Sequence, residues 1–241
     1  MNAAALALLS AAAAFAAPTR VTLRLPDGVA LVGDYTAPAK GKPVLVLLHG
    51  AGSARGEWAP LTKRLAAMGW GVVAADGRGH GQSGGPRVSD DWAPEQWLQL
   101  ADDLRTWARF AAGKGTPPER VALGGASMGA NIALAAAARL PKTPFVVLLS
   151  PGLDYRGIPA AEPLSRLSCP VLMAAAPDDR YSFQSARVLS DFLKDPRGRF
   201  LKAASGHGVR MLEGPENAAF VAGLLDWLRK TEPPGGGGGG L

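Results

Sequence analysis

Ser127 lies between glycines two residues away on either side, in Gly125-Ala126-Ser127-Met128-Gly129. A short apolar run from Arg120 to Gly124 precedes it. Ala130 to Leu134 and then four alanines, a strong helix-forming stretch, follow it. A serine on a sharp strand-to-helix turn is a nucleophile elbow, in which a side chain at either flanking glycine collides with the strand or the helix. A serine hydroxyl is a poor nucleophile until a positioned base takes its proton. Attack on a carbonyl carbon therefore also needs a base, an acid to orient that base, and donors for the oxygen that becomes negative.

Each of the three histidines follows a strand-like run and sits in a glycine-bearing loop. His49 opens His-Gly-Ala-Gly at 49–52, His80 lies within Asp-Gly-Arg-Gly-His-Gly-Gln-Ser at 76–83, and His207 stands between Gly206 and Gly208. His207 is the preferred base because it follows the last run and comes after the serine. Asp179, in Ala176-Pro177-Asp178-Asp179, is the preferred acid, with Asp154 and Asp178 as alternatives; each of the three also reads as a solvated loop carboxylate or a helix cap. The order Ser127, Asp179, His207 is the chain order of a triad carried on a strand-turn-helix serine. The oxyanion donors are then backbone amides, that of Met128 after the serine and that of Ala51 in the loop after the third run. His49 reads as a pin for that loop, and Asp76, Arg78 and His80 as a hydrogen-bonded loop scaffold. With the histidines in separate loops and no short-range pairing of His, Cys or carboxylate, the pattern argues against a metal site.

These loops need a frame to bring them together. Strand-like runs fall at 21–25, 29–35, 44–48, 71–75, 121–124, 145–149, 171–175 and 200–203. Pro26-Asp27-Gly28 separates the first two as a hairpin turn. After it, strands alternate with helical stripes: Trp58, Leu61, Leu65 and Met68; Trp97, Leu100, Ala101, Leu104, Trp107 and Ala108; Ala186, Leu189, Ser190 and Leu193; Phe220, Val221, Leu224, Leu225 and Leu228. A hairpin followed by strand–helix units predicts an α/β fold: about eight strands, mostly parallel, with an N-terminal antiparallel hairpin and helices on both faces. Ligands bind such sheets at the carboxyl ends of the strands, which is where the candidate residues fall.

The 241 residues fit one α/β domain, and 47% hydrophobic with 19% charged content describes a globular chain. The net charge of +6 is dispersed, with no run of Lys or Arg longer than two. That points to a solvated surface and away from nucleic acid as a partner. Residues 1–16, almost all Ala and Leu and ending Ala14-Phe15-Ala16, read as an export signal cleaved near Ala16 and leaving a periplasmic or secreted protein. The stretch is too short to serve as a stable membrane anchor. Residues 17–232 read as the domain, and 233–241, two prolines and six glycines before Leu241, read as a disordered low-complexity tail. Cys169, the single cysteine, reads as a small buried thiol.

HGAG at 49–52, DGRGHGQS at 76–83, GASMG at 125–129, the Asp179 loop and His207 together resemble the α/β-hydrolase superfamily over most of 17–232. The second motif is most similar to monoacylglycerol-lipase-like and serine-aminopeptidase-like members. The resemblance implies a cofactor-free serine hydrolase that works through an acyl-enzyme on a small-molecule acyl substrate, most simply a carboxylic ester. Hydrolysis of another acyl bond, acyl transfer, and a non-catalytic binding protein are the competing readings, and the oligomeric state stays open. Only about 17 residues, 152–168, separate the sixth and seventh runs, too few for a multi-helix lid. This predicts an open, shallow site for small or flexible acyl groups, closer to dienelactone-hydrolase-like members, with Tyr155, Tyr181 and Trp58 as lining residues.

Overall fold

In the computed structural model, Gly28 takes φ 82° in the turn at 25–29, where Leu25 N–H donates to the Val29 carbonyl at 2.8 Å. A side chain rarely adopts that dihedral, so glycine is what lets the chain reverse there. The structure describes residues 17–89 and 91–234. The expected export signal at 1–16 and the glycine run at 235–241 lie outside the described residues.

The turn joins β1 (Thr19–Arg24) to β2 (Ala30–Thr36), the antiparallel hairpin. Then come β3 (Val44–Leu48), α1 (Ala59–Ala67), β4 (Gly71–Ala75), α2 (Pro94–Gly113), β5 (Val121–Ala126), α3 (Met128–Ala137) and β6 (Val146–Leu149). A two-residue pair, β7 (Asp154–Tyr155) with β8 (Ile158–Pro159), and the short α4 (Ala161–Ser165) lead to β9 (Val171–Ala175). The chain ends with α5 (Arg180–Ser190), β10 (Arg199–Lys202) and α6 (Ala218–Thr231). The main sheet runs β1-β2-β4-β3-β5-β6-β9-β10, with β2 antiparallel to both its neighbours and all later pairs parallel.

Strands β3, β4, β5, β6 and β9 are buried at every residue, as parallel strands covered on both faces must be. One apolar layer joins the sheet to α2, α3 and α5 through residues such as Trp97, Leu104, Trp107, Ile132 and Leu189. The other joins it to α1 and α6 through Trp58, Leu61, Leu65, Phe220 and Leu224. All ten residues of α3 are buried, which explains its run of small side chains: the helix fits between sheet and α2 only without bulk. At the opposite end from the candidate loops, Glu232 accepts from Lys42 Nζ at 3.0 Å and Trp70 Nε1 at 3.1 Å. Arg120 donates to the Gly41 and Pro234 carbonyls, so the first two residues of the expected tail are tied to the domain.

Eight strands were expected in the sheet and eight are present, with ends that differ by one or two residues. The hairpin and α4 within 152–168 are additional; two-residue strands carry no alternation to read.

Candidate active site

Ser127 sits between β5 and α3 with φ 54° and ψ −123°. For a residue with a side chain this conformation costs about 1–3 kcal/mol, and it survives because the neighbours over-determine it. Ser127 N–H donates to the Leu149 carbonyl at 2.8 Å, which ties the elbow to β6. A methyl group at Gly125 would collide with the Gly129 carbonyl, and one at Gly129 with the Leu48 and His49 carbonyls. Both glycines are therefore required by contact, as the motif predicts. Met128 is the first residue of α3, so its amide has no acceptor within the helix and faces the turn as a free donor.

His207 Nδ1 lies 2.7 Å from Asp179 Oδ2. The histidine side chain is 47% exposed and the aspartate 14%. Asp179 is also the N-cap of α5 and accepts from Ser182 N–H at 3.4 Å. Burial works to raise its pKa, but hydrogen bonds from Ser182, from His207 and from Ser150 outweigh it and hold the carboxyl below its ordinary value. Asp178 turns to the Gly206 amide, which donates to its oxygens at 2.9 and 3.1 Å. Asp154 closes the β7–β8 turn by accepting from Gly157 N–H at 2.8 Å. Of the three aspartates weighed as the acid, Asp179 is the one that meets the imidazole.

The loop after β3 is held from beneath. Gly77 N–H donates to His49 Nε2 at 3.0 Å, so the other ring nitrogen carries the proton and donates to the Gly50 carbonyl at 2.7 Å. Burial drives the His49 pKa down to about 4, against the hydrogen bond to Gly50 that opposes it, and the ring is a neutral pin. Glu57 was not anticipated. Its carboxylate accepts from Gly50 N–H at 3.1 Å and from the Ser53 hydroxyl, and burial raises its pKa despite both bonds. Ala51 follows this braced segment and is exposed to the cavity.

Asp76, Arg78 and His80 form the expected scaffold. Asp76 accepts from Arg55 N–H at 2.7 Å, from the Arg55 guanidinium and from Gln82 N–H at 2.8 Å. Arg78 makes a two-pronged pair with Asp103 on α2, both bonds 2.7 Å, and that hydrogen bonding raises the guanidinium pKa. Asp103 was legible in principle, since it interrupts an apolar stripe between Leu100 and Leu104. His80 Nδ1 lies 2.9 Å from the Arg78 carbonyl, with the ring packed near Trp92 and Trp97.

Ser127 and His207 line one cavity of ≈ 590 Å³ with Ala51, Glu57, Arg210 and Glu213. Trp58 does not reach it: the indole is fully buried in the layer under α1 and α6, as its helical stripe with Leu61 and Leu65 implies. Tyr155 lies on the nucleophile's side of the site. Its hydroxyl is 2.9 Å from Ser182 Oγ, and burial raises its pKa against hydrogen bonding that involves Ser182 and Ser127. Tyr181 is exposed, packs edge-on against Tyr155 at 5.5 Å and donates to the Asp154 carbonyl at 2.6 Å. Asn131 of α3 pins the segment by donating to the Gly152 and Ile158 carbonyls at 3.0 and 2.8 Å. The short connection thus carries one tyrosine to the serine's side of the site in place of a lid. Cys169 is partly buried away from the site, and burial pushes its thiol up to about 11.

A serine on a strained turn, an imidazole braced by a carboxylate and the Met128 amide at the start of α3 lie at one strand-end face, an arrangement that can act as nucleophile, base and oxyanion donor.

The family model described as Serine aminopeptidase, S33 matches this chain over residues 39–203, more than half its length. A monoacylglycerol lipase of Mycolicibacterium smegmatis is 36% identical over 124 residues, which is 51% of this chain and 42% of that protein, so the match spans less than half of the relative. Among solved structures, an esterase of Pyrococcus furiosus superposes with TM-score 0.72 at 20% identity, covering 90% of this chain and 91% of that one. A dienelactone hydrolase of Anabaena variabilis gives TM-score 0.69 at 19% identity, covering 90% and 99%. The two structures share the fold described above, and on the family match this chain belongs to the serine aminopeptidase family of the α/β-hydrolases.

Proposed function

We propose that this protein is a serine hydrolase that cleaves small carboxylic esters through an acyl-enzyme. The observation that carries the reading is the convergence of a strained Ser127 with the His207–Asp179 pair on one cavity. Ser127 Oγ attacks the ester carbonyl as His207 Nε2 takes its proton. The oxygen that becomes negative is met by the Met128 and Ala51 amides. As the tetrahedral intermediate collapses, the carbon–oxygen bond to the alcohol breaks and His207 returns the proton to it. Water then attacks the acyl-serine, again through His207, releasing the acid and restoring Ser127. Asp179 keeps the imidazole in the tautomer whose Nε2 is free to accept and stabilises the imidazolium.

A small-molecule acyl substrate is supported by the absence of a long lid segment between β6 and β9 and by the name of the mycobacterial relative. We further infer export, on the composition of residues 1–16; no helix among the described residues is long and apolar enough to cross a membrane.

The test is turnover of short-chain nitrophenyl esters by the wild type, Ser127→Ala and His207→Ala. Wild-type activity lost in both variants, with the far-UV spectrum unchanged, supports the proposal. Activity retained in either variant overturns it. Amide cleavage is the second reading, favoured by the family description, and aminoacyl amides assayed in parallel separate the two.

A further inference from the structure

Ser150, directly after β6, has φ 53° and no exposed surface. It is one of three described non-glycine residues with positive φ, and another is the elbow serine itself. A buried residue holds that conformation only where its surroundings impose it. Two backbone bonds do so: Ser150 N–H donates to the Ala174 carbonyl at 2.7 Å, and the Ser150 carbonyl accepts from the Tyr155 hydroxyl at 3.4 Å.

The side chain then has a definite task. Gly208 N–H donates to Ser150 Oγ at 2.8 Å in a buried bond. That bond uses a lone pair of the hydroxyl and leaves its single proton for an acceptor. The Asp179 carboxyl is the group it serves: Ser150 is among the donors that hold that carboxyl below its ordinary value. One buried hydroxyl thus holds the residue after His207 and bears on the acid that orients His207. These come from different loops, one after β9 and one after β10, and the hydroxyl holds them in register.

We propose that Ser150 is a positioning residue for the Asp179–His207 pair, acting through its hydroxyl, which fixes the Gly208 backbone while donating to the Asp179 carboxylate. The inference rests on the serine-hydrolase reading above. It predicts two consequences of losing the hydroxyl. The imidazole loses part of its alignment, so the chemical step slows while substrate binding does not change. Asp179 also loses a donor that shares its charge, so the imidazolium is favoured more strongly and the acid limb of the rate profile moves to higher pH.

The two replacements are informative together: alanine removes the hydroxyl alone, and glycine removes it while accepting φ 53° without strain. Ser150→Gly and Ser150→Ala are compared with the wild type on a nitrophenyl ester, measuring kcat, KM and the pH dependence of kcat/KM. Both variants are expected to lose kcat by about tenfold with KM within about twofold, and to shift the acid limb upward by about half a unit. Ser150→Gly is expected to do so while melting no lower than Ser150→Ala. If Ser150→Gly keeps wild-type kcat and an unmoved limb, the hydroxyl has no positioning role. If kcat falls only as far as the melting temperature does and the limb stays in place, the role is structural and the proposal fails. A wild-type protein without esterase activity overturns the underlying reading instead, so the two failures are separable.

Discussion

Asp179 Oδ2 and His207 Nδ1 are 2.7 Å apart although 28 residues separate them in sequence. Each hangs from the end of a strand, Asp179 after β9 and His207 after β10, and these strands are parallel neighbours at the edge of the sheet. The pairing is therefore a consequence of strand register, and the helix capped by Asp179 fixes the direction in which its carboxylate points.

Replacing Asp179 by asparagine keeps the shape but removes the charge that selects the imidazole tautomer. We predict a loss of kcat on the order of 10⁴-fold with KM little changed. Steady-state kinetics check this. An equal loss in Asp178→Asn would contradict the assignment of the acid.

Ser127 stores backbone strain that alanine retains and glycine relieves. Ser127→Gly should melt higher than Ser127→Ala, by an equivalent of about 1 kcal/mol, with neither variant active. Thermal unfolding of the two variants side by side is the measurement.

The buried Arg78–Asp103 pair ties the loop after β4 to α2. Arg78→Met leaves the buried Asp103 charge uncompensated and should cost about 3–5 kcal/mol; Asp103→Leu leaves Arg78 paired with Asp27 at 3.1 Å and should cost less, and the double variant less than the sum of the two. Chemical denaturation of the four proteins tests this.

His49 makes stability depend on pH. Its folded pKa of about 4 lies below the ordinary 6.5 of an exposed histidine, so between these values the unfolded chain binds more protons than the native protein. The stabilisation is fully present above pH 6.5 and is lost as pH falls toward 4, a contribution of about 3 kcal/mol at most. Denaturant midpoints across this window should fall with acidification in the wild type, and the slope should flatten in His49→Asn.

Most of the frame was legible because buried parallel strands leave near-continuous apolar runs, and the elbow because its glycines are dictated by contact with Leu48, His49 and Gly129. The third-strand loop pin, His49, was also readable from its place. Choosing between Asp178 and Asp179 was harder: the two are adjacent, both reach the loop of His207, and only the cap geometry of α5 separates the one that takes the Gly206 amide from the one that takes the imidazole. Glu57 and Ser150 carried no signal, since each depends on a loop conformation without periodicity, whereas Tyr155 was readable from its place in the short connection after β6. Trp58 is a different case. Its stripe with Leu61 and Leu65 already placed it in the core, and its assignment to the pocket lining went against that pattern.

The most direct test of the central claim is to treat the protein with a fluorophosphonate and locate the adduct by peptide mass spectrometry. A single phosphonylated residue at Ser127, abolished by prior denaturation and absent in His207→Ala, is the predicted result. Folded protein that stays unlabelled, or an adduct on another serine, would contradict the account.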